Sequence, residues 1–264
     1  MTDAPLETCR ALDAQIIALQ IRNLMFHLSQ EKTSRNSKYP IHLALGHENL
    51  AACCSVVKKP GDKFTLTHRN IHFNAALSPP NLYPLIIDEA LALPTGLNHG
   101  QFGCMSMRSI GAGVVYSSSI LANNIPIGLG VSSTLEYGSV CWIQTGDGAI
   151  EEGCFYESLV FARARKLPCI FLVENNNWSL GTSITERRSY LDLLRLAKSI
   201  GLEYFYIQKN ETLEDTITIL DDARNQAILG PVIVEATVIT QGGYYHTSRG
   251  YISYHHGPLS SEHV

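Results

Sequence analysis

No apolar run in this sequence approaches 18 residues, so nothing in it reads as a membrane-spanning helix. It also lacks an excess of basic charge. Twenty Lys and Arg face twenty-four Asp and Glu, a formal net charge of -4, which excludes the broad basic face that nucleic acid requires. The seven cysteines (Cys9, Cys53, Cys54, Cys104, Cys141, Cys154, Cys169) are odd in number and show neither a CxxC pair nor Cys/His ligand spacing. That excludes a disulfide framework and argues against a zinc site, leaving buried thiols of a reducing compartment. The opening MTDAPLETCRALDAQ carries acids and a proline where a secretory leader has a basic and then an apolar stretch. There is no repeat of fixed period, no low-complexity tract and no linker-like segment. The expectation is a cytoplasmic chain with neither membrane nor nucleic acid as a partner.

What is present is ample apolar material, 45% of 264 residues, enough for one large core. A single domain over residues 1–264 is expected. Residues 6–28 space Leu6, Leu12, Ile16, Leu19, Leu24, Met25 and Leu28 at mixed three- and four-residue steps, predicting an amphipathic helix. A second helix is expected from Gly46-His47 to Val57, stopped by Lys58-Lys59-Pro60-Gly61. From there to about residue 120 prolines and glycines predict a long irregular stretch, which in a compact domain is usually functional.

The second half alternates. Strands are expected at 139–145, 167–175, 202–207 and 231–239, with helices at 154–166, 191–201 and 212–230 between them. Near-continuous apolar strands separated by helices predict an α/β fold, a parallel sheet flanked by helices on both faces.

In such sheets ligands collect beyond the carboxyl ends of the strands. Gly146-Asp147-Gly148 follows one strand and Asn175-Asn176 ends the next, with 26 residues (149–174) between them. That is about one βαβ unit, so Asp147 and Asn176 are expected at one sheet edge. A carboxylate and an amide oxygen are hard ligands suited to Mg2+ or Ca2+, and Mg2+ characteristically shares its sphere with phosphate oxygens. The flanking glycines admit close backbone approach. Gly148 and Ala149 are expected to offer N–H groups at the mouth of the following helix. A GDG turn alone is commonplace; its pairing with NN at this spacing arises by chance in well under about 1% of chains of this length.

GDGAIEEGCFYESLVFARARKLPCIFLVENN resembles the thiamine-diphosphate motif, and KLPCIFLVENNNWSLGTSI resembles the alpha subunit of the first component of 2-oxoacid dehydrogenase complexes. The likeness extends upstream through HLALGHE, THR, GCMSM and ILANNIPIGLG, covering roughly residues 40–240. It implies a thiamine-diphosphate-binding fold with thiamine diphosphate and Mg2+ as cofactors. Asp147, Asn176 and the carbonyl of Trp178 would then hold the metal, and Gly146, Gly148 and Ala149 would lie against the cofactor. His68 and Arg69 match the diphosphate clamp. Ser119 and Leu121 match the backbone beside the aminopyrimidine, with Ile120 between them equally readable as core. Glu152 and Glu157 match acidic positions of related enzymes and are read as interface or solvated charges.

The sequence departs from that pattern at its histidines. HRNIH replaces HRxHG, placing His72 one step late, and VITQGGYYHTSRGYISYHHGPLS replaces a histidine-rich loop. His72, His246 and His256 are the catalytic candidates, and the last, before Gly257, is similar to a transketolase feature. The resemblance further implies a beta-type partner subunit, since no second, pyrimidine-binding domain fits in this length, as an alpha2beta2 assembly. The expected substrate is a 2-oxoacid, pyruvate foremost. The short tail and its tyrosines favour a carbonyl or keto-sugar acceptor over a lipoyl arm. A lipoyl-linked component, a split transketolase-like subunit and a non-catalytic scaffold are the alternatives.

Overall fold

The computed structural model describes residues 8–35 and 39–241 in full and residues 4–7, 244–247 and 250–253 as backbone. Six strands, β1 (Lys63–Leu66), β2 (Val114–Ser117), β3 (Cys141–Gly146), β4 (Cys169–Asn175), β7 (Glu203–Ile207) and β8 (Val232–Thr237), form one sheet. Its order is β2-β1-β3-β4-β8-β7, and every pairing is parallel. The short antiparallel hairpin β5 (Trp178–Ser179) and β6 (Thr182–Ser183) stands beyond the end of β4, and β9 (Tyr244–Thr247) pairs antiparallel with β10 (Gly250–Ser253).

Period-two alternation divides the sheet's side chains between two cores. Trp142, Ile170, Leu172, Val232 and Val234 point to one face, beneath α1 (Ala4–Ser34), α2 (Glu48–Val57), α3 (Ile71–Leu77), α4 (Tyr83–Ala90) and the short α5 (Gly103–Ser106). Cys141, Ile143, Cys169, Phe171 and Ile233 point to the other, beneath α6 (Asn124–Ser132), α7 (Gly153–Arg165) and α9 (Leu193–Ile200). One more four-residue helix, α8 (Ile184–Arg187), follows β6, and α10 (Leu213–Ala227) joins the first face. Trp142 stacks on Phe64 with ring centroids 5.7 Å apart, closing the first core at the sheet's amino edge.

Two expectations change. The seam by which α1 packs is Ala11, Ala14, Ala18, Ile21, Met25 and Leu28, all buried, whereas Leu12, Ile16 and Leu19 are 55%, 45% and 57% exposed. Small alanines let the first half of the helix lie close on the core, so Leu12, Ile16 and Leu19 of the expected period fall on the outside, whereas Leu24, Met25 and Leu28 are buried. The stretch from 58 to 120 is also more regular than its prolines and glycines imply, since it holds β1, β2, α3, α4 and α5. Proline at the first turn of a helix costs no hydrogen bond, and Pro84 sits there in α4. The remaining boundaries agree with the sequence reading to within a few residues, except that α1 runs to Ser34. Five cysteines are buried, Cys154 is half-buried and Cys9 is exposed; all seven are free thiols.

Strand order reverses between β1 and β3: the chain goes outward from β1 to β2, then returns to β3 and proceeds the other way. Such a switch point leaves a crevice at the carboxyl edge.

Candidate functional site

A cleft of about 390 Å3 opens at that crevice. Four connections form most of its wall, Thr67–Arg69 after β1, Ser118–Ala122 after β2, the end of β3 with Asp147–Ala149, and Glu174, Asn176 and Trp178–Leu180 at the end of β4, and His42, His47 and Met105 complete it. Register brings them together, because Gly146 is opposite Glu174 and Asn175 is opposite Thr237 of β8. Of the positions singled out in the sequence, His68, Arg69, Ser119, Leu121, Gly146, Asp147, Gly148, Ala149, Asn176 and Trp178 all line this one cleft. Ile120 is not core; it is 68% exposed at the cleft wall. Glu152 and Glu157 are exposed and do not line the cleft.

Asp147 is buried, and Arg187 donates to its Oδ2 at 2.5 Å while Arg188 donates to its carbonyl at 3.0 Å. Burial outweighs these cations and pushes the carboxyl up to about 6. Asn176 donates from Nδ2 to Thr240 Oγ1 at 2.8 Å, and its Oδ1 accepts from the Trp178 amide at 3.1 Å. Gly148 has no room for a side chain: a Cβ there would lie 2.6 Å from Ser179 Oγ and 2.7 Å from Ser179 Cβ. The following helix does not begin at the motif. A 3-10 turn (Ala149–Glu151) intervenes and extended Glu152 precedes α7, so Gly148 and Ala149 meet the cleft through that turn and not at an α-helix N-terminus.

Arg69 is buried, and its guanidinium donates to the Leu43 carbonyl. Gln144 ties its loop to the sheet: Nε2 donates to the Arg69 carbonyl at 3.1 Å, and Oε1 accepts from the Thr67 amide at 2.8 Å. At the cleft floor lies Glu174, 4% exposed, with His47 beside it. Its Oε1 accepts from His72 Nε2 at 3.0 Å and Gln144 Nε2 at 3.3 Å, and its Oε2 pairs with His47 Nδ1 at 2.6 Å. Burial alone would raise this carboxyl, but the two histidines hold it far below the ordinary glutamate range.

His72 is therefore gathered beneath the site but not onto its wall: it is fully buried in α3 and meets the cleft through two residues that line it, Glu174 and His47, the latter edge-on with ring centroids 5.6 Å apart. The side chain of His246 and all of His256 lie outside the described residues, as do the side chains of the tail tyrosines Tyr244, Tyr245, Tyr251 and Tyr254. Sequence reading passed over Glu174, His47, Gln144, Thr240 and Arg187. One signal was available for Glu174, an acid at the inward end of the apolar run LPCIFLVEN. Arg187 and Thr240 arrive from distant segments and carry no local signal.

Relatives carry the same stretch. The chain is 27% identical over 210 residues to the pyruvate dehydrogenase E1 component subunit alpha of Rickettsia prowazekii, covering 77% of this chain and 63% of that protein. The subunit of the same name from Zymomonas mobilis is also 27% identical over 210 residues, with 77% and 58% covered. The subunit alpha of acetoin:2,6-dichlorophenolindophenol oxidoreductase from Bacillus subtilis is 30% identical over 147 residues, with 54% and 43% covered. This chain thus spans less than two thirds of the length of these relatives. Among solved structures, transketolase from Campylobacter jejuni superposes with a TM-score of 0.62 at 19% identity, covering 85% of this chain and 38% of the enzyme. Transketolase from Leishmania mexicana gives 0.61 at 17%, with 85% and 36% covered, a likeness of fold. The dehydrogenase E1 component model matches residues 18–237, which takes in every wall of the cleft, and the chain belongs to the dehydrogenase E1 component family.

Proposed function

We propose that this chain is the diphosphate-binding, alpha-type subunit of a thiamine-diphosphate-dependent enzyme that decarboxylates a 2-oxoacid of the pyruvate class. The observation that carries the reading is the meeting of Asp147, Asn176 and Arg69 in one cleft at the switch point of the sheet.

The residues fit a metal-bound diphosphate on three grounds. Asp147 is a buried carboxylate whose proton affinity is raised by burial, so it gains from a nearby divalent cation. The oxygens of Asp147, Asn176 and the Trp178 carbonyl form a hard donor set matched to Mg2+. The bare Gly148 leaves a cradle beside Ser179 that any Cβ would fill. Asp147, Asn176 and Trp178 would hold Mg2+, Arg69 and His68 would face the diphosphate, and the backbone at Ser119 and Leu121 would flank the aminopyrimidine.

Thiamine diphosphate supplies, when bound, the nucleophilic carbon and the electron sink for loss of CO2 from a 2-oxo group. The chain's own share is binding, orientation and exclusion of water. Arg69 is suited to a paired contact with phosphate oxygens. The hinge of the reading is the partner: a beta-type subunit, in an alpha2beta2 assembly, is needed to complete the pocket and activate the cofactor. A carbonyl acceptor such as a keto sugar is proposed for the activated aldehyde, on the tyrosine-bearing tail. One domain over 1–264 and a reducing, cytoplasmic setting accord with the absence of a linker and with seven free thiols.

The test is 14CO2 release from labelled pyruvate with thiamine diphosphate and Mg2+ present. The expected result is release by the chain combined with the beta-type subunit and none by the chain alone. Turnover by the purified chain alone, or none with the partner over a panel of 2-oxoacids, contradicts the proposal.

A further inference from the structure

The buried Glu174 cluster is left over once the cofactor contacts are assigned, and its proton arrangement has a consequence for Asn176. Three nitrogens that can donate converge on the Glu174 carboxylate. Its Oε1 takes two donors, His72 Nε2 at 3.0 Å and Gln144 Nε2 at 3.3 Å, and its Oε2 takes His47 Nδ1 at 2.6 Å. The carboxylate therefore fixes the proton of His47 on Nδ1. His47 is 2% exposed, and burial lowers its affinity for a second proton; the contact with Glu174 opposes this, Arg69 and His72 reinforce it, and burial prevails. Its Nε2 is then a bare lone pair, 2.9 Å from Thr240 Oγ1.

A hydroxyl carries one proton. If Thr240 gives it to His47 Nε2, its oxygen can only accept from its other neighbour, the Asn176 amide 2.8 Å away. That neighbour must present Nδ2. The carboxamide of Asn176 is thereby locked in one of its two flips, with Oδ1 turned away from Thr240 toward the Trp178 backbone, whose amide it accepts at 3.1 Å. We propose that His47 is a positioning residue: through Thr240, and under the direction of Glu174, it turns the oxygen of Asn176 toward the divalent cation and keeps the amide nitrogen away from it. The inference rests on the reading of Asn176 as a metal ligand and adds what orients it.

The chain is specific in its parts. With the proton on Nε2 instead, the Thr240 hydroxyl would accept from His47 and its own proton would be free to turn toward Asn176, so the hold of Thr240 on Nδ2 would no longer be fixed and the Trp178 amide would be left to orient the carboxamide by itself. Outer partners of this kind characteristically change metal affinity by about 10- to 100-fold when removed.

Two measurements test the proposal. In 15N-histidine NMR of the full chain without ligand at pH 7.5, the His47 ring, assigned by its loss in a His47→Gln chain, is expected as the neutral Nδ1–H tautomer. A doubly protonated ring or an Nε2–H tautomer overturns the proposal. In calorimetry with thiamine diphosphate in excess, Thr240→Val is expected to raise the half-saturating Mg2+ about tenfold, the order for one lost outer contact, and Thr240→Ser to restore it. Melting temperatures without ligand check that both variants are folded. An unchanged half-saturation in a folded Thr240→Val chain overturns the proposal. Asp147→Ala separates the two levels: if it leaves binding intact, the site assignment itself fails; if it abolishes binding while Thr240→Val does nothing, the positioning role alone fails.

Discussion

Asp147 costs the unliganded chain stability at neutral pH, and replacing it with asparagine should show this. Its carboxyl rises from an ordinary 3.8 to about 6 because it is buried, despite the Arg187 contact. The folded chain thus binds a proton more tightly than the unfolded chain does. The associated stabilisation is complete below the unfolded value of 3.8 and is lost as pH rises through about 6. Working from those two values, the contribution is about 2 kcal/mol at pH 4.5 and about zero at pH 7. Asn cannot titrate. Urea unfolding of both chains at pH 4.5, 5.5 and 7 gives the stability difference at each pH, and the contrast between pH values isolates the carboxyl from any lost contact to Arg187. Between pH 4.5 and 7 the native sequence should lose about 2 kcal/mol more than Asp147→Asn. Parallel profiles, or a native sequence that gains relative to the variant, would refute the argument that burial dominates at this carboxylate.

Three further outcomes follow from the geometry. Gly148→Ala should weaken Mg2+-dependent cofactor binding by about tenfold or more, as a displaced first-contact wall would, and Ser179→Gly should restore much of it by removing the side chain that the new Cβ meets; calorimetry of the single and double variants checks both. Asp62→Ala should cost about 3–5 kcal/mol of stability, since it strands the buried Arg224 guanidinium, which Asp62 now pairs at 2.9 and 2.7 Å; it should leave cofactor affinity unchanged, because Asp62 precedes β1, at the opposite sheet edge from the cleft. With the beta-type subunit, pyruvate and added aldehydes or keto sugars, product analysis should show carbon–carbon bond formation without lipoamide; efficient acyl-lipoamide formation with no such product would reverse the choice of acceptor.

Much of the site was legible because it is built at strand ends. A strand announces itself by its apolar run, its carboxyl end follows at once, and GDG and NN sit there. The parallel rhythm of the second half likewise needs only local pattern. The seam of α1 was not legible, because alanines that fit a close approach leave a weak periodic signal beside exposed leucines. Strands β1 and β2 were hidden among turn-forming residues, each only four residues long. His47 reaches the cleft, and Arg187 and Thr240 reach residues that line it, by tertiary approach: 40 residues separate Arg187 from Asp147 and 193 separate Thr240 from His47. No spacing rule of one βαβ unit covers such distances. His72 shows the converse, a residue three positions after Arg69 whose helical position turns it inward onto Glu174.

The central claim is that a divalent cation held by Asp147 bridges this chain to a diphosphate. The direct measurement is isothermal titration of thiamine diphosphate into the native sequence and Asp147→Ala, each with Mg2+ and with EDTA, at pH 7.5. Binding heat from the native sequence in Mg2+ alone, absent in EDTA and absent from the variant in both, is the predicted result. Equal affinity of the two chains in Mg2+, or binding that ignores EDTA, contradicts it.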